Sequence, residues 1–239
     1  MRCGAVLTAA GSGTRLGDPR PKALVPLAGV SLVERAATAL AGSGVVAGIV
    51  VTAPAGRVAE VAALFPQGTA AGVPVQVVAG GPTRQASVAA GLAALAAVVP
   101  DCGGVLVHDA ARCLATPELV RRLVRALEDG RRAVVPALPV TDTIKQAVPG
   151  EDGERVGATP DRSLLRAVQT PQAFDRALLE RAHRAAAERA GDESSAVSDD
   201  AGLVELLGEE VHLVAGEAAA LKITTAEDLA YAEWLLTRP

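Results

Sequence analysis

This sequence has no long apolar run, no closely spaced pair of cysteines and few lysines, and each scarcity is informative. No apolar run reaches the roughly 20 residues that a membrane-spanning helix needs, so we expect no association with a membrane. The three cysteines, Cys3, Cys102 and Cys113, lie far apart and form no CxxC pair. This spacing gives no sign of a metal site and suits a reducing cytoplasm, where we expect the protein to be located.

The N-terminus, MRCGAVLTAAG, has an apolar core of only a few residues, interrupted by glycines and an arginine. We interpret it as a first β-strand rather than as a signal peptide. Excess basic charge is also missing, because the net charge is −4. A general nucleic-acid binder normally carries a basic excess, so we expect no nucleic-acid partner.

Lysine is rare even among the basic residues. Only three of the 23 Lys and Arg residues are lysine, at Lys22, Lys145 and Lys222. A compact ammonium and a planar guanidinium bind anions differently. A lysine in a chain that otherwise uses arginine is therefore a weak candidate for function, although chance would also explain it.

Half of the 239 residues are apolar, enough for a substantial core. Short apolar runs alternate with helical patterns, which predicts an α/β fold: one three-layer, Rossmann-like domain over residues 1–239, with a mostly parallel sheet and helices on both faces. The predicted strands are 3–8, 45–52, 74–79, 104–108, 132–137 and 211–215. The predicted helices are 31–42, 55–64, 83–98, 117–128, 175–190, 199–207 and 225–236.

Two segments interrupt this alternation. Residues 139–160 alternate polar and apolar side chains around PGEDGE, which predicts a β-hairpin that projects from the sheet. An extended arm on a small domain usually needs a partner, so we expect a homodimer; a mobile surface hairpin is the alternative. Residues 191–198, GDESSAVS, are typical of a flexible loop.

The first predicted strand leads into LTAAGSGTRLGDPRPKAL, residues 7–24, which is rich in glycine and cations. It lacks the P-loop pattern, because Lys22 lies nine residues beyond Gly13. It also lacks the dinucleotide pattern, because its glycines are spaced GxGxxxG. Glycines let backbone N–H groups approach phosphates, and Arg15 and Lys22 can bind their oxygens. We interpret the loop as a triphosphate site; a solvated surface loop is the alternative.

Two further polar motifs follow predicted strands. Residues 80–92, GGPTRQASVAAGL, place Arg84 and Ser87 on one helical face, although the segment could be an ordinary helix start. Residues 107–113, VHDAARC, place Asp109 and Arg112 at a strand end, although the two could form a local salt bridge. Parallel sheets bind their ligands beyond the carboxyl ends of the strands, so both motifs are candidates for the site.

The AAGSGTR and PKAL motifs resemble the signature of nucleoside-triphosphate transferases that make nucleotide-activated sugars and polyols. With GGPTRQASV, HDAAR, DTIK, QTPQAF, SDDA and LKITTAEDL, in that order, nearly the whole chain resembles the 2-C-methyl-D-erythritol 4-phosphate cytidylyltransferases. The resemblance implies a transferase that joins CTP to that polyol phosphate, releases pyrophosphate and supplies the non-mevalonate isoprenoid pathway.

The resemblance also implies roles for particular residues. Gly81 and Ser87 would select the cytosine, and Asp109 would lie beside the ribose and the reacting phosphates. Our candidates for catalysis are Arg15, Lys22, Asp109 and Lys222. The residues expected to bind CTP are Ala9, Ala10, Gly11, Gly13, Gly81, Arg84, Ser87 and Ala110.

The acceptor phosphate is expected to bind another set of residues. Thr143 lies in the predicted arm, and Arg162 follows the arm in sequence. The resemblance implies that the arm crosses to the partner subunit and that both residues act on the partner's site. Cys113, Pro82, Ser198 and Asp200 depart from the family's usual residues, and the changes at Ser198 and Asp200 leave the shape of the acceptor pocket open. The expected acceptor residues are Arg112, Thr143, Arg162, Thr170 and Ser198.

The implied reaction needs no general base, because the second pKa of a phosphate is about 6 and the nucleophile is already an anion. We therefore interpret His108, His183 and His212 as structural. Positioned cations and Mg²⁺ would offset the repulsion between the two anions. Since no DxD pair is evident, we expect Mg²⁺ to bind mainly through CTP oxygens, with Asp109 the nearest carboxylate.

Three other functions remain open from the sequence. A ribitol 5-phosphate cytidylyltransferase would share the loop and the sheet. A non-catalytic nucleotide-binding regulator is disfavoured by the intact Arg15, Lys22, Asp109 and Lys222. A nicotinamide dehydrogenase is disfavoured by the glycine spacing and by residues 52–54, Thr-Ala-Pro, where a ribose-binding acid would be expected.

Overall fold

The computed structural model describes residues 1–11, 13–192 and 197–238. Its strands, over this described part, are β1 Cys3–Thr8, β2 Pro26–Leu27, β3 Val30–Ser31, β4 Val46–Ala53, β5 Thr69–Ala70, β6 Val73–Ala79, β7 Gly104–Asp109, β8 Ala133–Pro139, β9 Gln146–Gly150, β10 Gly153–Ala158, β11 Arg166–Val168, β12 Gln172–Asp175 and β13 His212–Ala215. Its α-helices are α1 Leu32–Gly42, α2 Val58–Ala62, α3 Arg84–Val98, α4 Pro117–Glu128, α5 Arg176–Ala185, α6 Asp200–Glu205 and α7 Ala226–Leu236.

A central sheet orders its strands β11-β8-β12-β7-β1-β4-β6-β5, and β13 adds parallel to β8. The middle strands β7, β1, β4 and β6 are all parallel, which confirms the predicted mostly parallel α/β sheet. β12 is antiparallel to both β7 and β8, and β11 is antiparallel to β8.

Strands β1, β4 and β7 are almost fully buried because each carries a mostly apolar run, whereas β6, nearer the sheet edge, alternates half-buried and exposed residues. Two apolar cores lie against the sheet: one includes Leu40 of α1 and Leu123 of α4, and the other includes Leu92 of α3 and Leu178 of α5. Burial of both sides is the expected environment of parallel strands. The helices therefore occupy both faces, as predicted.

Hydroxyl side chains fix where the helices begin. Ser31 forms a capping box with Glu34 at the start of α1, and Thr225 forms one with Asp228 at the start of α7. The Thr83 hydroxyl accepts a hydrogen bond from the Ala86 N–H, so α3 begins immediately after the turn that follows β6. Such caps satisfy N–H groups that lack a partner in the first helical turn.

The hairpin predicted within 139–160 is present as β9 and β10, which pair only with each other in the described structure. Its outer positions are exposed, including Val156 at 58%. The preceding strand β8 continues to Pro139. The hairpin therefore stands apart from the central sheet, which leaves its side chains available to a partner.

Several predicted boundaries were wrong. The helix predicted over 55–64 is a 3₁₀ turn followed by the short α2, and that predicted over 175–190 leaves α-helical geometry at Ala185. The helix predicted over 199–207 is α6, six residues long. Residues 193–196 of the predicted loop 191–198 lie outside the described residues. No helix in the described part of the chain is long and apolar enough to span a membrane.

Candidate functional site

A cleft of about 880 Å³ opens at the carboxyl ends of the parallel strands. Thr8 at the end of β1 and Asp109 at the end of β7 lie side by side in the sheet register and both line it. The turn after β6 lines the opposite side through Gly81. Residues expected to bind CTP or to act in catalysis line this cleft, namely Ala9, Ala10, Gly11, Gly13, Arg15, Lys22, Gly81, Arg84, Ser87, Asp109, Ala110 and Lys222.

The glycine-rich loop folds back so that its two ends touch. Gly13 has a φ of +70°, and a Cβ built on it would lie 2.3 Å from the Lys22 Cβ. A side chain at this position would therefore meet both backbone strain and a steric clash. Glycine here lets Lys22, which begins a 3₁₀ turn over Lys22–Leu24, reach the same cleft as the loop's start.

Three cations converge on the cleft. Arg15, Lys22 and Lys222 all line it. Burial lowers the pKa of Lys22, and the nearby positive charges of Lys222 and Arg15 lower it further. Like charges are held this close only where the fold positions them, and an anion in the cleft would relieve their repulsion. The cleft is thus built to attract a strongly anionic ligand.

Asp109 is the carboxylate that binds both Lys222 and Arg84. Its Oδ2 lies 2.8 Å from the Lys222 Nζ, and its Oδ1 lies 3.1 Å from the Arg84 Nε. The Thr8 hydroxyl also donates to Oδ1, at 3.2 Å. Burial alone would raise the pKa of Asp109, but Arg84 and Lys222 outweigh it and hold the pKa well below its usual range. The carboxylate therefore stays ionised.

Lys222 reaches this position from the segment before α7. The Ile223 N–H donates to the backbone carbonyl of Ala111 at 2.9 Å, which ties the segment to the 3₁₀ turn Ala110–Arg112 after β7. Two regions more than 100 residues apart in sequence thus meet at one point. The Lys222 side chain remains 43% exposed and lines the cleft.

A second cavity of about 250 Å³ adjoins the first. It shares Arg84, Asp109, Ser198 and Lys222 with the larger cleft. Its other lining residues include two expected acceptor residues, Arg112 and Thr170, together with Val168, Gln169, Gln172 and Asp199. The Asp109–Lys222 ion pair therefore stands at the boundary between the two cavities.

Arg112 and Thr170 are fixed by the surrounding backbone. The Arg112 guanidinium donates to the carbonyls of Ala220 and Val168, at 2.9 and 3.3 Å. The Thr170 hydroxyl accepts the Asp109 N–H at 3.0 Å and lies 2.9 Å from the His108 Nδ1. Burial lowers the pKa of His108 to about 4, so this imidazole is neutral at pH 7 and helps to hold Thr170 in place.

Ser87 is buried, and its hydroxyl is used within the protein. It accepts the Gly81 N–H at 3.1 Å and donates to the Thr83 carbonyl at 2.8 Å. A Cβ on Gly81 would lie 2.4 Å from the Ala86 Cβ, so the turn tolerates no side chain. These bonds fix the edge of the cleft at which the resemblance predicts the cytosine.

Thr143 and Arg162 do not line either cavity in the described part of this chain. Both are exposed, and the Arg162 guanidinium donates to the Thr141 carbonyl at 2.6 Å. They lie at the base of the hairpin, so within one chain the structure does not bring them to the acceptor cavity. Their expected action on a partner's site stays a prediction.

Sequence reasoning assigned no site role to three polar residues on or behind the Asp109–Arg84 ion pair. Thr8 lies inside a run interpreted only as strand, Asp200 was noted only as a shortened glutamate, and His183 was interpreted as structural. Asp200 pairs with Arg84 at 2.7 Å and with His183 at 2.9 Å. The SDDA block gave a signal for Asp200, whereas nothing in the helical pattern distinguishes His183 from a core residue.

Protein side chains offer little to a metal ion here. Among the described residues, no group of three or more His, Cys, Asp or Glu side chains is arranged to hold one. Asp109 is the carboxylate of the cleft; its Oδ1 accepts from Arg84 and Thr8, and its Oδ2 keeps a lone pair beyond the one that Lys222 uses. This donor set fits Mg²⁺, which commonly binds one or two carboxylates together with substrate phosphates.

Two adjoining cavities meet at one ion pair, and the larger one is rich in cations and glycine. On a parallel α/β sheet, this arrangement defines a nucleotidyltransferase-type site. The family model of 2-C-methyl-D-erythritol 4-phosphate cytidylyltransferase matches residues 3–238. The chain therefore belongs to that family.

Relatives and solved structures agree with this assignment. The 2-C-methyl-D-erythritol 4-phosphate cytidylyltransferase of Nocardia farcinica is 50% identical over 234 residues, which cover 98% of this chain and 94% of the relative. The enzyme of the same description from Thermus thermophilus has a solved structure with a TM-score of 0.75 at 36% identity, covering 98% of each chain. The 4-diphosphocytidyl-2C-methyl-D-erythritolsynthase of Anaerococcus prevotii gives a TM-score of 0.80 at 29% identity, covering 99% of each chain.

Proposed function

We propose that this protein transfers the cytidylyl group of CTP to 2-C-methyl-D-erythritol 4-phosphate. The products are 4-diphosphocytidyl-2-C-methyl-D-erythritol and pyrophosphate, and the reaction serves isoprenoid precursor synthesis. The observation that carries the proposal is the position of the Asp109–Lys222 pair, at the boundary of a large cationic cleft and a smaller cavity. Such a boundary is where the α-phosphate of one substrate would meet the phosphate of the other.

In this proposal the larger cleft binds CTP. The backbone of the glycine-rich loop, with Arg15 and Lys22, holds the triphosphate, and the turn around Gly81 and Ser87 holds the cytosine. Ala110 and Asp109 lie beside the ribose. A cleft of about 880 Å³ is within the usual size of a small-ligand site.

The smaller cavity binds the polyol phosphate. Arg112, Thr170 and Ser198 contribute from the same chain. Thr143 and Arg162 would come from the partner of a homodimer, whose contact is made by the arm at about 139–160. An exposed hairpin that pairs only with itself in the described structure supports this role, because its edges and apolar side chains are free for a second copy.

The chemistry then follows from the charges. An oxygen of the acceptor phosphate forms a bond to the α-phosphorus of CTP, and the bond between that phosphorus and the bridging oxygen to the β-phosphate breaks. No proton needs to be removed from the nucleophile near pH 7. Lys22, Arg15 and Lys222 stabilise the charge that develops on the transferred phosphate and on the leaving pyrophosphate.

Mg²⁺ would be held by CTP oxygens and by Asp109, and when bound it supplies further neutralisation of the triphosphate charge. Asp109 also fixes the Lys222 ammonium through its Oδ2. The carboxylate is suited to both tasks because neighbouring cations keep its pKa low.

Pyrophosphate release tests the proposal. CTP, UTP, ATP and GTP are each combined with 2-C-methyl-D-erythritol 4-phosphate or ribitol 5-phosphate in the presence of Mg²⁺. We expect rapid release only from CTP with the methylerythritol phosphate. Preference for ribitol 5-phosphate would replace the proposed acceptor, and no release from any pair would remove the proposed activity.

A further inference from the structure

A chain of buried charges extends from the Asp109–Lys222 pair into the protein. The Arg84 Nε binds Asp109, and its Nη1 lies 2.7 Å from the Asp200 Oδ2. The other oxygen of Asp200 lies 2.9 Å from the His183 Nε2. Asp200 is 1% exposed and His183 5% exposed as side chains. The chain thus crosses from β7 through the first residue of α3 to α6 and α5.

The charges in this chain are balanced. Asp109 and Asp200 contribute two negative charges, and Lys222 and Arg84 contribute two positive charges. Burial alone would raise the pKa of Asp200, but Arg84 and His183 lower it, so the carboxylate is ionised. Loss of one charge from such a set leaves its partner buried without compensation, which changes the position of what remains.

The geometry divides the two oxygens of Asp109 between two tasks. Arg84 and the Thr8 hydroxyl bind Oδ1 from the protein side, and Oδ2 is left for Lys222. Arg84 can orient Asp109 in this way only if its own guanidinium is fixed. Asp200 provides that fixed point, because it binds a different nitrogen of the same planar group.

We propose that Asp200 is a positioning residue for the transfer reaction: through Arg84 it sets the orientation of Asp109 and hence the place of the Lys222 ammonium. His183 supports Asp200 by binding its second oxygen. The inference rests on the proposed function, because it assigns Lys222 to the reacting phosphates. It adds two residues, Asp200 and His183, that need not touch either substrate.

A positioning role predicts a particular kinetic change. Asp200→Asn keeps the size of the side chain but removes the charge that fixes Arg84. Small misplacement of a catalytic group lowers turnover, so we expect kcat to fall about 10- to 100-fold. KM for CTP should change by less than about threefold, since the triphosphate is held by Arg15 and Lys22. The native fold is checked by the melting temperature and circular dichroism.

Two further variants separate positioning from packing. Asp200→Glu restores the charge and should keep kcat within about fivefold of wild type, because a carboxylate can still bind Arg84. Glu180→Gln breaks the 2.7 Å ion pair with Arg176 on the same helix as His183, away from both cavities. This control should leave kcat unchanged.

The outcomes are distinct. Wild-type kcat in folded Asp200→Asn, or an equal loss in Asp200→Glu, would overturn the inference while leaving the proposed function intact. Wild-type protein that releases no pyrophosphate would overturn the proposed function and the inference with it. If Asp200→Asn does not fold, His183→Phe takes its place: a several-fold loss of kcat at unchanged KM supports the inference, and unchanged kcat overturns it.

Discussion

Lys22 combines several features that a phosphate-binding lysine needs. It is half-buried, it lies against Gly13, and the positive charges of Lys222 and Arg15 together with burial lower its pKa. The scarcity of lysine in the sequence drew attention to Lys22 and Lys222, and both line the large cleft. Lys145, the third, instead donates to the exposed Thr159 hydroxyl, so scarcity alone does not identify a site.

Removal of the Lys22 ammonium is expected to abolish most turnover without unfolding the protein. Loss of one positioned donor to developing charge typically lowers the rate about 10²–10³-fold. Lys22→Ala is therefore compared with Arg57→Ala, which removes an exposed cation of a surface ion pair away from the cleft. Near-normal kcat in folded Lys22→Ala would exclude the lysine from the mechanism.

The buried carboxylates predict how stability depends on pH. The pKa values of Asp109 and Asp200 lie below their usual range. An Asp in the unfolded chain has a pKa of about 3.9. As the pH falls through that value, the unfolded chain therefore binds more protons than the folded protein does. Stability from these groups is complete above the unfolded pKa and is lost as the pH falls towards the folded values.

Urea denaturation from about pH 5 down to about pH 3 measures this loss. We expect the free energy of unfolding to fall with pH in wild type and to fall less steeply in Asp200→Asn. Asp101→Asn, on an exposed turn, serves as the control with the wild-type slope. Identical slopes for wild type and Asp200→Asn would show that Asp200 is not an ionised, stabilised carboxylate in the fold.

The elements that carry the site were the easiest to predict. β1, β4 and β7 are mostly apolar runs, and α1 and α3 follow directly on Ser31 and Thr83, which are good helix caps. The glycine-rich loop and the HDAAR turn were placed at the strand ends by the rule for parallel sheets. Local sequence was sufficient here because each element's pattern agrees with its place in the fold.

Other elements could not be predicted because tertiary contacts define them. β12, four residues long, is inserted antiparallel between β7 and β8, and the sequence predicted no strand there. The site of Asp200 depends on how α5 and α6 pack against α3, and no periodicity contains that information. The sequence thus identified the residues that face the cleft better than those that hold them in place.

Gly13 tests the glycine-rich loop as a structural element. Gly13→Ala would place a Cβ 2.3 Å from the Lys22 Cβ at a φ of +70°, so the two ends of the loop must separate. We expect KM for CTP to rise and kcat to fall by at least about tenfold, because backbone donors and Lys22 move together.

The matched control is Gly56→Ala, where the new Cβ meets nothing within 4 Å and no positive φ is required. It should have wild-type kinetics. Unaltered CTP kinetics in folded Gly13→Ala would show that the close approach of Gly13 to Lys22 does not matter for nucleotide binding.

The complete molecule is proposed to be a homodimer in which each arm completes the other subunit's acceptor cavity. Arg162→Ala should then raise KM for the polyol phosphate more than KM for CTP. A mixture of subunits that each carry one of two defects gives a sharper test. A heterodimer of Lys22→Ala and Arg162→Ala has one site with both defects and one site with neither.

Random reassociation of the two variants should therefore restore about a quarter of the wild-type activity, since half of the dimers are mixed and half of their sites are intact. Each variant alone, treated identically, supplies the baseline. If Arg162 acted on its own chain's site, every site in the mixture would carry one defect and no activity would return.

The whole account depends on a cationic cleft at the carboxyl edge of the sheet holding the triphosphate of CTP. A crystal structure with CTP and Mg²⁺ bound would show this directly. We predict the phosphates between the glycine-rich loop, Arg15 and Lys22, with the α-phosphate beside Lys222 and the cytosine at the Gly81 turn. A triphosphate that lies away from Arg15 and Lys22 would contradict the assignment of the cleft and the mechanism built on it.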